Sequence, residues 1–399
     1  MDAAGSASSI LTLNAGSSSL KFALFPWSDG PATLRGEASG LNDPAGARLV
    51  FGGRDQPLRL AGGSPHAGAL LAVLDALKQH AASQVAAIGH RIVHGGTAFA
   101  DSVVIDEAAL HRLEALTPLA PLHQPANLAG VRAVSSVLPD VPQVACFDTA
   151  FHRTQAEAAQ WFALPRAYAA EGVRRYGFHG LSYEHVAHVL PTLAGDRAGG
   201  RVIVAHLGAG ASLCAMHGLR SAATSMGFSA LDGLMMGTRC GAIDPGVLIY
   251  LQRAHGMDAD ALEDLLYRRS GLLGVSGISA DMRELLASRQ PQAAEAVELF
   301  CYRAVREICA LAGTLGGFDA LVFTGGIGTY AAAIRQRIAG ALEWLGLRLD
   351  RDANDTPIAA NTAGKSIAAA DSKVACWVIR ADEESVIARH VRRTIGASR

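Results

Sequence analysis

The sequence predicts an α/β protein made of two similar domains with a central cleft. Residues 10–25 (ILTLNAGSSSLKFALF) carry an apolar strand, a loop of small residues and an alternating second strand, and residues 202–216 (VIVAHLGAGASLCAM) repeat that plan. Residues 319–328 (DALVFTGGIG) form a third apolar run that ends in glycines before a helical pattern, a turn suited to a phosphate or nucleotide. Two similar hairpins about half a chain apart indicate a duplicated domain, with one loop on each wall of the cleft.

The chain length favours two domains, because 399 residues exceed what one hydrophobic core usually spans. Only 18% of the residues are charged and the formal net charge is -1, so no basic field is present to hold nucleic acid or an anionic membrane. No run of about 18 apolar residues predicts a membrane span, and the start MDAAGSASSI lacks a signal-peptide pattern. The six cysteines have no CxxC spacing, which suits reduced thiols in the cytoplasm. We therefore expect small-molecule partners.

Helical patterns alternate with the apolar strands, as in the α/β class. They cover residues 67–80, 124–138, 257–268 and 291–315. Two segments rich in Gly and Pro, at 26–65 and 350–365, are expected to form loops and edge strands. The alternation after the first Gly/Ser loop predicts a half-buried hairpin, with one face on the core and one in solvent.

The loop Asn14–Ser19 is rich in small and hydroxyl-bearing residues, and Lys21 lies just beyond it. Small residues let backbone N–H groups approach phosphate oxygens, while hydroxyls and an ammonium add donors. The GxxxxGK[ST] spacing of a Walker A loop is absent. On this segment alone an ordinary Ser/Gly hairpin turn is an equal alternative.

Arg91 lies in the segment GHRIVHGG (residues 89–96), which contains paired histidines. Their spacing is like that of HExxH, but the glutamate is missing and the segment has the pattern of a strand, so zinc is not expected. An arginine at a strand end beside glycines fits a bidentate clamp for a carboxylate or phosphate. A structural salt bridge is the alternative.

Further polar residues stand among small and apolar ones at 121–125 (PLHQP), 147–152 (FDTAFH) and 176–180 (YGFHG). One such residue is usually a satisfied core group, whereas several in one chain favour a site. Residues 224–246 are rich in Gly and Met, too irregular for a helix, and contain Arg239. Long glycine-rich loops in compact domains are usually functional, and an adaptable Met-lined interface is compatible with that interpretation.

These motifs together resemble those of acetate kinases. In chain order they are LNAGSSSLK, GHRIVHGG, PLHQPAN, FDTAFH, YGFHGLSYEHV, HLGAGAS, MGTRCGAIDP, FTGGIG and DEESVIA. The resemblance runs from about residue 10 to 390 and implies two duplicated RNase H-like (actin-like ATPase) domains. It places an N-terminal domain at 1–150, completed by a C-terminal helix at about 384–399, and a nucleotide-binding domain at 151–383.

The resemblance also assigns roles to residues of this chain. Those implied in catalysis are Arg91, Asp148, His179 and Arg239. Arg91 is the carboxylate-binding residue, and the acyl pocket comprises Val93, Leu122 and Phe178. The nucleotide contacts are Lys21, His206, Leu207, Gly208, Ala209, Gly210, Asp281, Met282, Arg283, Gly326, Ile327, Gly328, Thr329 and Tyr330. The metal residues are Asn14 and Glu383.

The implied reaction is reversible transfer of a phosphoryl group between ATP and acetate, giving ADP and acetyl phosphate, with Mg²⁺ (or Mn²⁺) as the metal and a homodimer as the assembly. This chain departs from the family pattern at three places. Ala209 replaces an asparagine, Thr329-Tyr330 replaces Glu-Asn, and Ala230 replaces a proline. Propionate or another short-chain acid as acceptor, a different phosphoryl donor, and a nucleotide-dependent binding module with the same fold all remain as alternatives.

Overall fold

The computed structural model describes residues 8–16, 18–43, 46–60, 65–80, 84–359 and 362–396, without the side chains of residues 79, 80, 196 and 197. Contacts divide the chain into two compact units. Unit 1 comprises Met1–Ala150 with Asp382–Arg399, and unit 2 comprises Phe151–Ala381. Among the described residues, no helix has the length and apolarity needed to cross a membrane.

Strands and helices alternate along the described chain. The strands are β1 Ser8–Ala15, β2 Ser19–Pro26, β3 Leu34–Ser39, β4 Arg48–Phe51, β5 Arg54–Pro57, β6 Gln84–Ile92, β7 Val103–Val104, β8 Gln143–Phe147, β9 Arg201–Leu207, β10 Ala211–His217, β11 Arg220–Thr224, β12 Ala320–Thr324, β13 Gly364–Ser366 and β14 Ala375–Ile379. The helices are α1 Pro65–His80, α2 Glu107–Glu114, α3 Gln124–Val137, α4 Glu157–Gln160, α5 Arg166–Ala170, α6 Gly180–Ala194, α7 Pro245–His255, α8 Ala259–Arg268, α9 Gly271–Ser276, α10 Met282–Ala287, α11 Pro291–Leu315, α12 Gly325–Tyr330, α13 Ala332–Gly340, α14 Arg351–Asp355 and α15 Glu383–Gly396.

The two units share one sheet plan, which confirms the duplication inferred from the repeated hairpins. Unit 1 has the strand order β5-β4-β3-β2-β1-β6-β8-β7, and unit 2 has β11-β10-β9-β12-β14-β13. In each, an antiparallel three-strand meander is followed by two parallel strands and then by an antiparallel edge strand. Unit 1 adds β4 and β5 beyond the meander.

Helices cover both faces of the central strands, so the half-buried hairpin expected from the sequence is wrong. Four consecutive residues of β2, Phe22–Phe25, are buried, and β10 is buried from Ala211 to Met216. In unit 1, α1 and α3 pack on one face of the sheet and α15 packs on the other. In unit 2, α11 packs on one face and α6 on the other. Two-sided cover favours continuous apolar strands over alternation.

The predicted helices are present in all four segments, and the long one, α11, begins and ends where the pattern does. The segments called loops and edge strands contain β3, β4, β5 and β13, but the second also contains the short helix α14. Asp350 begins that helix, because its carboxylate accepts a hydrogen bond from the N–H of Ala353 at 3.0 Å.

The parallel strands end at one edge of each sheet, and this edge positions the residues of interest. In unit 1 these strands are β1, β6 and β8; in unit 2 they are β9, β12 and β14. Helix α15 lies so close to β6 that a Cβ built on Gly89 would be 2.3 Å from Cγ2 of Ile387. Side chains alternate along a strand, so Arg91, two residues after Gly89, is on the same face.

Candidate active site

The candidate site residues of unit 1 begin with a cross-strand pair. Asn14 and Lys21 lie directly opposite each other in the β1–β2 hairpin, on the face of the sheet that carries α15. Asn14 is half-buried and Lys21 is exposed. The hairpin therefore presents an amide and an ammonium side by side at the carboxyl edge. Ser17 of the predicted phosphate loop lies outside the described residues.

Arg91 ends β6 and is clamped by two carboxylates. Its Nε and Nη2 donate to Asp148 at 3.0 and 2.6 Å, and Nε lies 3.5 Å from Oε2 of Glu383. Asp148 follows β8 with 1% of its surface exposed, and Glu383 is the first residue of α15. Burial alone would lower the pKa of Arg91, but attraction to Asp148 and Glu383 outweighs it and raises this pKa. Arg91 thus has the predicted place at a strand end and also makes the structural ion pair that was the alternative.

The cluster also shifts the ionisation of Glu383. Burial raises its pKa to about 7, repulsion from Asp148 and Glu384 adds to the shift, and Arg91 and Lys21 oppose it. The influence of Lys21 shows that Glu383 lies near the Asn14–Lys21 pair. This edge therefore holds an excess of oxygen ligands near neutral pH.

Asn127 is the last residue of the motif PLHQPAN and has no predicted role, but in the structure it bridges two segments of unit 1. Its Nδ2 donates to the carbonyl of Ala15 at 2.7 Å, and its Oδ1 accepts from the N–H of Val93 at 2.9 Å. Asn127 is 3% exposed, so it joins the end of β1 to the segment after β6 inside the core. The short sequence PAN gives no local signal of this contact, since its partners are far away in the chain.

The paired histidines of GHRIVHGG are internal. His90 hydrogen-bonds Gln143 at 2.8 Å, and Nδ1 of His94 accepts from the N–H of Gly96 at 2.9 Å. Burial lowers the pKa of each imidazole to about 4, so both are neutral at pH 7. Their contacts fix the loop that carries Val93.

In unit 2, the corresponding edge carries two stacked imidazoles. His206 is near the end of β9 on the face covered by α6, and His179 precedes the first turn of α6. Their rings are parallel within 18° with centroids 4.3 Å apart. His179 has φ 56°, a left-handed conformation that is uncommon for a residue with a side chain. Such strain is often found at functional positions.

His179, Arg239 and Gly326 lie close to the loop between β9 and β10. A Cβ built on Gly210 would be 3.3 Å from Nε2 of His179 and 3.9 Å from Nη1 of Arg239. A Cβ on Gly208 would be 3.8 Å from the backbone nitrogen of Gly326. The structure thus brings together His179, Arg239, the loop that follows His206, and the first residues of α12.

Arg239 lies in an irregular loop, as the sequence predicts for residues 224–246, with α7 beginning only at Pro245. Its Nη1 donates to the carbonyl of Ala230 at 2.9 Å. Ala230, which replaces the family's proline, therefore holds the Arg239 guanidinium through its backbone carbonyl. The neighbouring Gly237 donates to the carbonyl of Ala209 at 3.0 Å, which ties the Arg239 loop to the glycine loop.

The glycine turn after β12 is held by a buried arginine that the sequence did not indicate. Arg335, 3% exposed, donates from Nη1 to the carbonyls of Gly328 and Thr329 at 3.0 and 2.8 Å. Gly325 has φ 76°, and a Cβ there would be 2.6 Å from the carbonyl oxygen of Leu207. Within the turn, Thr329 is buried and Tyr330 is 77% exposed.

The remaining predicted residues have varied environments. Asp281 is the N-cap of α10 and pairs with the exposed Arg283, whose hydrogen bonds lower the pKa of that carboxyl to about 2. Buried positions are taken by Val93, Phe178, Leu207, Gly328 and Met282. Half-buried positions are taken by Leu122 and Ile327. The structure places Val93 and Leu122 in unit 1 and Phe178 in unit 2.

This chain is similar to a known protein family over most of its length. Residues 9–389 match the model of the Acetokinase family. This chain belongs to the acetokinase family. A family relative named acetate kinase, from Rhodopseudomonas palustris (strain ATCC BAA-98 / CGA009), is 50% identical over 98% of this chain and 99% of its own length. Another acetate kinase, from Rhizobium meliloti, is 44% identical over 97% and 98%.

Solved structures of the family have the same fold as this chain. The crystal structure of Porphyromonas gingivalis acetate kinase is 36% identical with a TM-score of 0.87, and covers 98% of this chain and 100% of that one. A propionate kinase from Francisella tularensis is 36% identical with a TM-score of 0.88, and covers 96% and 98%. The acetokinase fold is thereby shown for both units.

Glu383 gives a testable pH dependence of stability. Its pKa is about 7 when folded and about 4.3 when unfolded, so its contribution is complete below the unfolded value and is lost as pH rises through about 7. In metal-free protein, we expect Glu383→Gln to flatten the fall in thermal unfolding midpoint between about pH 5 and pH 8. The difference between the wild-type and variant curves isolates this group. Parallel curves would show that Glu383 keeps an ordinary pKa.

Proposed function

We propose that this acetokinase family member is an acetate kinase that transfers the γ-phosphoryl group of ATP directly to acetate. A carboxylate oxygen of acetate forms the new P–O bond to the γ-phosphorus. The bond from that phosphorus to the β,γ-bridging oxygen breaks, and its electron pair leaves with ADP. The family match over residues 9–389 is the observation that carries the proposal. Relatives up to 50% identical are named acetate kinase, which favours acetate over propionate as the preferred acid.

Arg91 would bind the acetate carboxylate in unit 1. Its Nε and Nη2 hold Asp148, which leaves Nη1 as the guanidinium nitrogen directed to a ligand. Acetate, with a pKa near the ordinary carboxyl value of about 4.3, is already ionised at pH 7 and needs no base. We therefore assign Asp148 the role of orienting Arg91. We assign Val93, Leu122 and Phe178 to contacts with the acyl methyl group.

Asn14 and Glu383 are the residues that would hold Mg²⁺. Their amide and carboxylate oxygens are the hard donors that this ion prefers, and Mg²⁺ sites often use one or two protein oxygens beside substrate phosphates and water. Among the described residues, no group of three or more His, Cys, Asp and Glu has metal-binding geometry. When bound, the ion would neutralise phosphate charge. Lys21, opposite Asn14, would add a further positive charge.

Unit 2 would bind the nucleotide and stabilise the transferred group. The amides of Gly208–Gly210, with His179 and Arg239 beside them, are suited to the oxygens of a phosphoryl group in transfer. His206 would support His179 through ring stacking, and Asp281–Arg283 and Gly326–Tyr330 would form the nucleotide loops. Thr329 and the exposed Tyr330 replace the Glu-Asn pair of the family, so we propose a weaker selection for the adenine base.

We also propose that the protein is cytoplasmic and that it forms a homodimer. The six cysteines are all free thiols, which suits a reducing compartment.

Helix α7 has no buried residue, and Ile249 and Tyr250 on it are 48% and 60% exposed. Tyr302 of α11 is 63% exposed, and Arg303 of the same helix donates to the carbonyl of Ala242 at 2.7 Å, so α11 lies beside the start of α7. A helix without any buried side chain fits an interface with a second copy.

The reaction is tested by trapping the acyl phosphate with hydroxylamine, using acetate, propionate and butyrate with ATP or GTP. We expect hydroxamate with all three acids, most with acetate, and a discrimination against propionate of at most about two-hundredfold, because one methylene is worth roughly 1–3 kcal/mol. Val93→Ala should move the preference toward the longer acids, chiefly through KM. No hydroxamate with any acid would refute the kinase, and an unchanged acid preference in a well-folded variant would remove Val93 from the pocket.

Arg239 is expected to act on charge that appears only during transfer. Arg239→Ala should lower kcat by about 10²–10³ with little change in the acetate KM, as for the loss of one preorganised donor. Arg348→Ala, at an exposed arginine paired with Asp371, is the control and should leave both constants unchanged. A normal kcat with a large rise in KM would instead make Arg239 a ground-state binding residue.

The dimer is tested by sedimentation at several protein concentrations. Tyr250→Asp should shift the protein toward the monomer, because it buries a charge in an apolar interface. Trp344→Asp, at a side chain that is 74% exposed outside this face, should leave the association unchanged. A wild-type protein that sediments as a monomer at all concentrations would contradict the proposal.

A further inference from the structure

Ser212 is a buried hydroxyl beside the stacked imidazoles that the proposed mechanism does not use. It is 0% exposed and lies opposite His206 in the β9–β10 hairpin. Its Oγ is 2.8 Å from Nδ1 of His179. A serine on the sheet therefore contacts the imidazole of His179, the residue at the N-cap position of α6.

Tyr183 contacts the same serine from the opposite side. It lies one turn after His179 in α6, with its N–H donating to the His179 carbonyl at 3.1 Å, and its hydroxyl is hydrogen-bonded to Oγ of Ser212. The ring is 0% exposed and packs edge-on against His152 with centroids 5.6 Å apart. Tyr183, Ser212 and His179 thus form one continuous chain of hydrogen bonds inside unit 2.

The direction of this chain follows from the proton on Tyr183. Burial raises the pKa of the phenol well above its ordinary value of 10, so the hydroxyl keeps its proton. Among the described residues, Ser212 is the hydrogen-bond partner found for that hydroxyl, so the serine oxygen accepts from the phenol. The serine proton is then directed at Nδ1 of His179, which must accept.

An imidazole that accepts at Nδ1 carries its proton on Nε2 when it is neutral. Nε2 of His179 is the atom that faces Gly210 and the glycine loop. A neutral imidazole held in this way presents an N–H donor to the loop without having to be protonated first. We propose that Ser212 and Tyr183 are positioning residues that hold His179 as the Nε2–H tautomer, so that it donates to a phosphoryl oxygen bound at the Gly208–Gly210 loop.

The identity of the acceptor oxygen rests on the proposed kinase function, whereas the tautomer does not. Substrate-free protein with ¹⁵N-labelled histidine is therefore the first test. Long-range ¹H–¹⁵N spectra distinguish protonated from unprotonated ring nitrogens, and His179→Gln identifies the signals. We expect a protonated Nε2 and an unprotonated Nδ1 in the wild type, and an averaged pair of signals in Ser212→Ala.

A matched control is available on the neighbouring strand. Ser221 is also buried and hydrogen-bonds Nδ1 of a different histidine, His152, at 2.9 Å. Ser221→Ala should alter the His152 signals and leave the His179 tautomer unchanged. If Ser212→Ala does not fold, Tyr183→Phe gives the same test, because it removes only the hydroxyl and should weaken the Nε2–H preference.

Kinetics add a signature that a purely structural role would not produce. At about pH 8, Ser212→Ala should lower kcat by about tenfold to a hundredfold with little effect on KM, the range found when a bond that sets a histidine tautomer is lost.

The inference is overturned if wild-type His179 is protonated at Nδ1, if neither variant alters its spectrum, or if Ser212→Ala keeps the wild-type kcat. A protein that yields no hydroxamate but shows the Nε2–H tautomer would refute the kinase function and keep the hydrogen-bond chain. The two failures are therefore distinguishable.

Discussion

The ion pair between Arg91 and Asp148 is the interaction on which unit 1 depends. Asp148 is almost completely buried, and a buried carboxylate without a cation would be strongly unfavourable. The pair joins the ends of two parallel strands, β6 and β8, and Glu383 brings the start of α15 to the same guanidinium. Loss of either partner would leave an uncompensated charge inside the unit, so the clamp and the fold are maintained by the same contacts.

The two units use one architecture for different chemistry. Each places polar residues at the carboxyl edge of a parallel sheet, on the face that a helix covers: α15 in unit 1 and α6 in unit 2. In unit 1 these residues form an ionic cluster around Arg91. In unit 2 they are imidazoles, hydroxyls and glycine amides beside the guanidinium of Arg239. Under the proposed function, the first set would bind the acetate carboxylate and the second would bind phosphate groups of ATP.

Sequence patterns predict much of this fold, because its signals are local. The repeated hairpins, the glycine turn after β12 and the long apolar helix α11 depend on neighbours within a few residues. The place of Arg91 at a strand end is equally local. Helix α7 was missed because its exposed apolar residues give no amphipathic face, and the half-buried hairpin was wrong because cover by a distant helix is invisible to strand periodicity.

The supporting residues of the site could not have been found in this way. Asn127 joins Ala15 to Val93 across long stretches of chain, and Arg335 is recognisable only by the carbonyls around it. Ser212 looks like an ordinary strand residue in HLGAGAS until His179 is placed against it. The family resemblance predicts which residues contact substrates, whereas the residues that orient them are recognised only from three-dimensional contacts.

Helix α15 makes the order of folding differ from the order of synthesis. It packs on β1, β2, β6 and β8 of unit 1 and buries Val386, Ile387 and Val391 there, yet it follows unit 2 in the chain. Domains generally fold as their residues leave the ribosome, so unit 2 has its whole sequence available while unit 1 still exposes an apolar sheet face. Unit 1 is therefore completed only after unit 2 has been synthesised, and a truncation before α15 would leave one apolar face of its sheet uncovered.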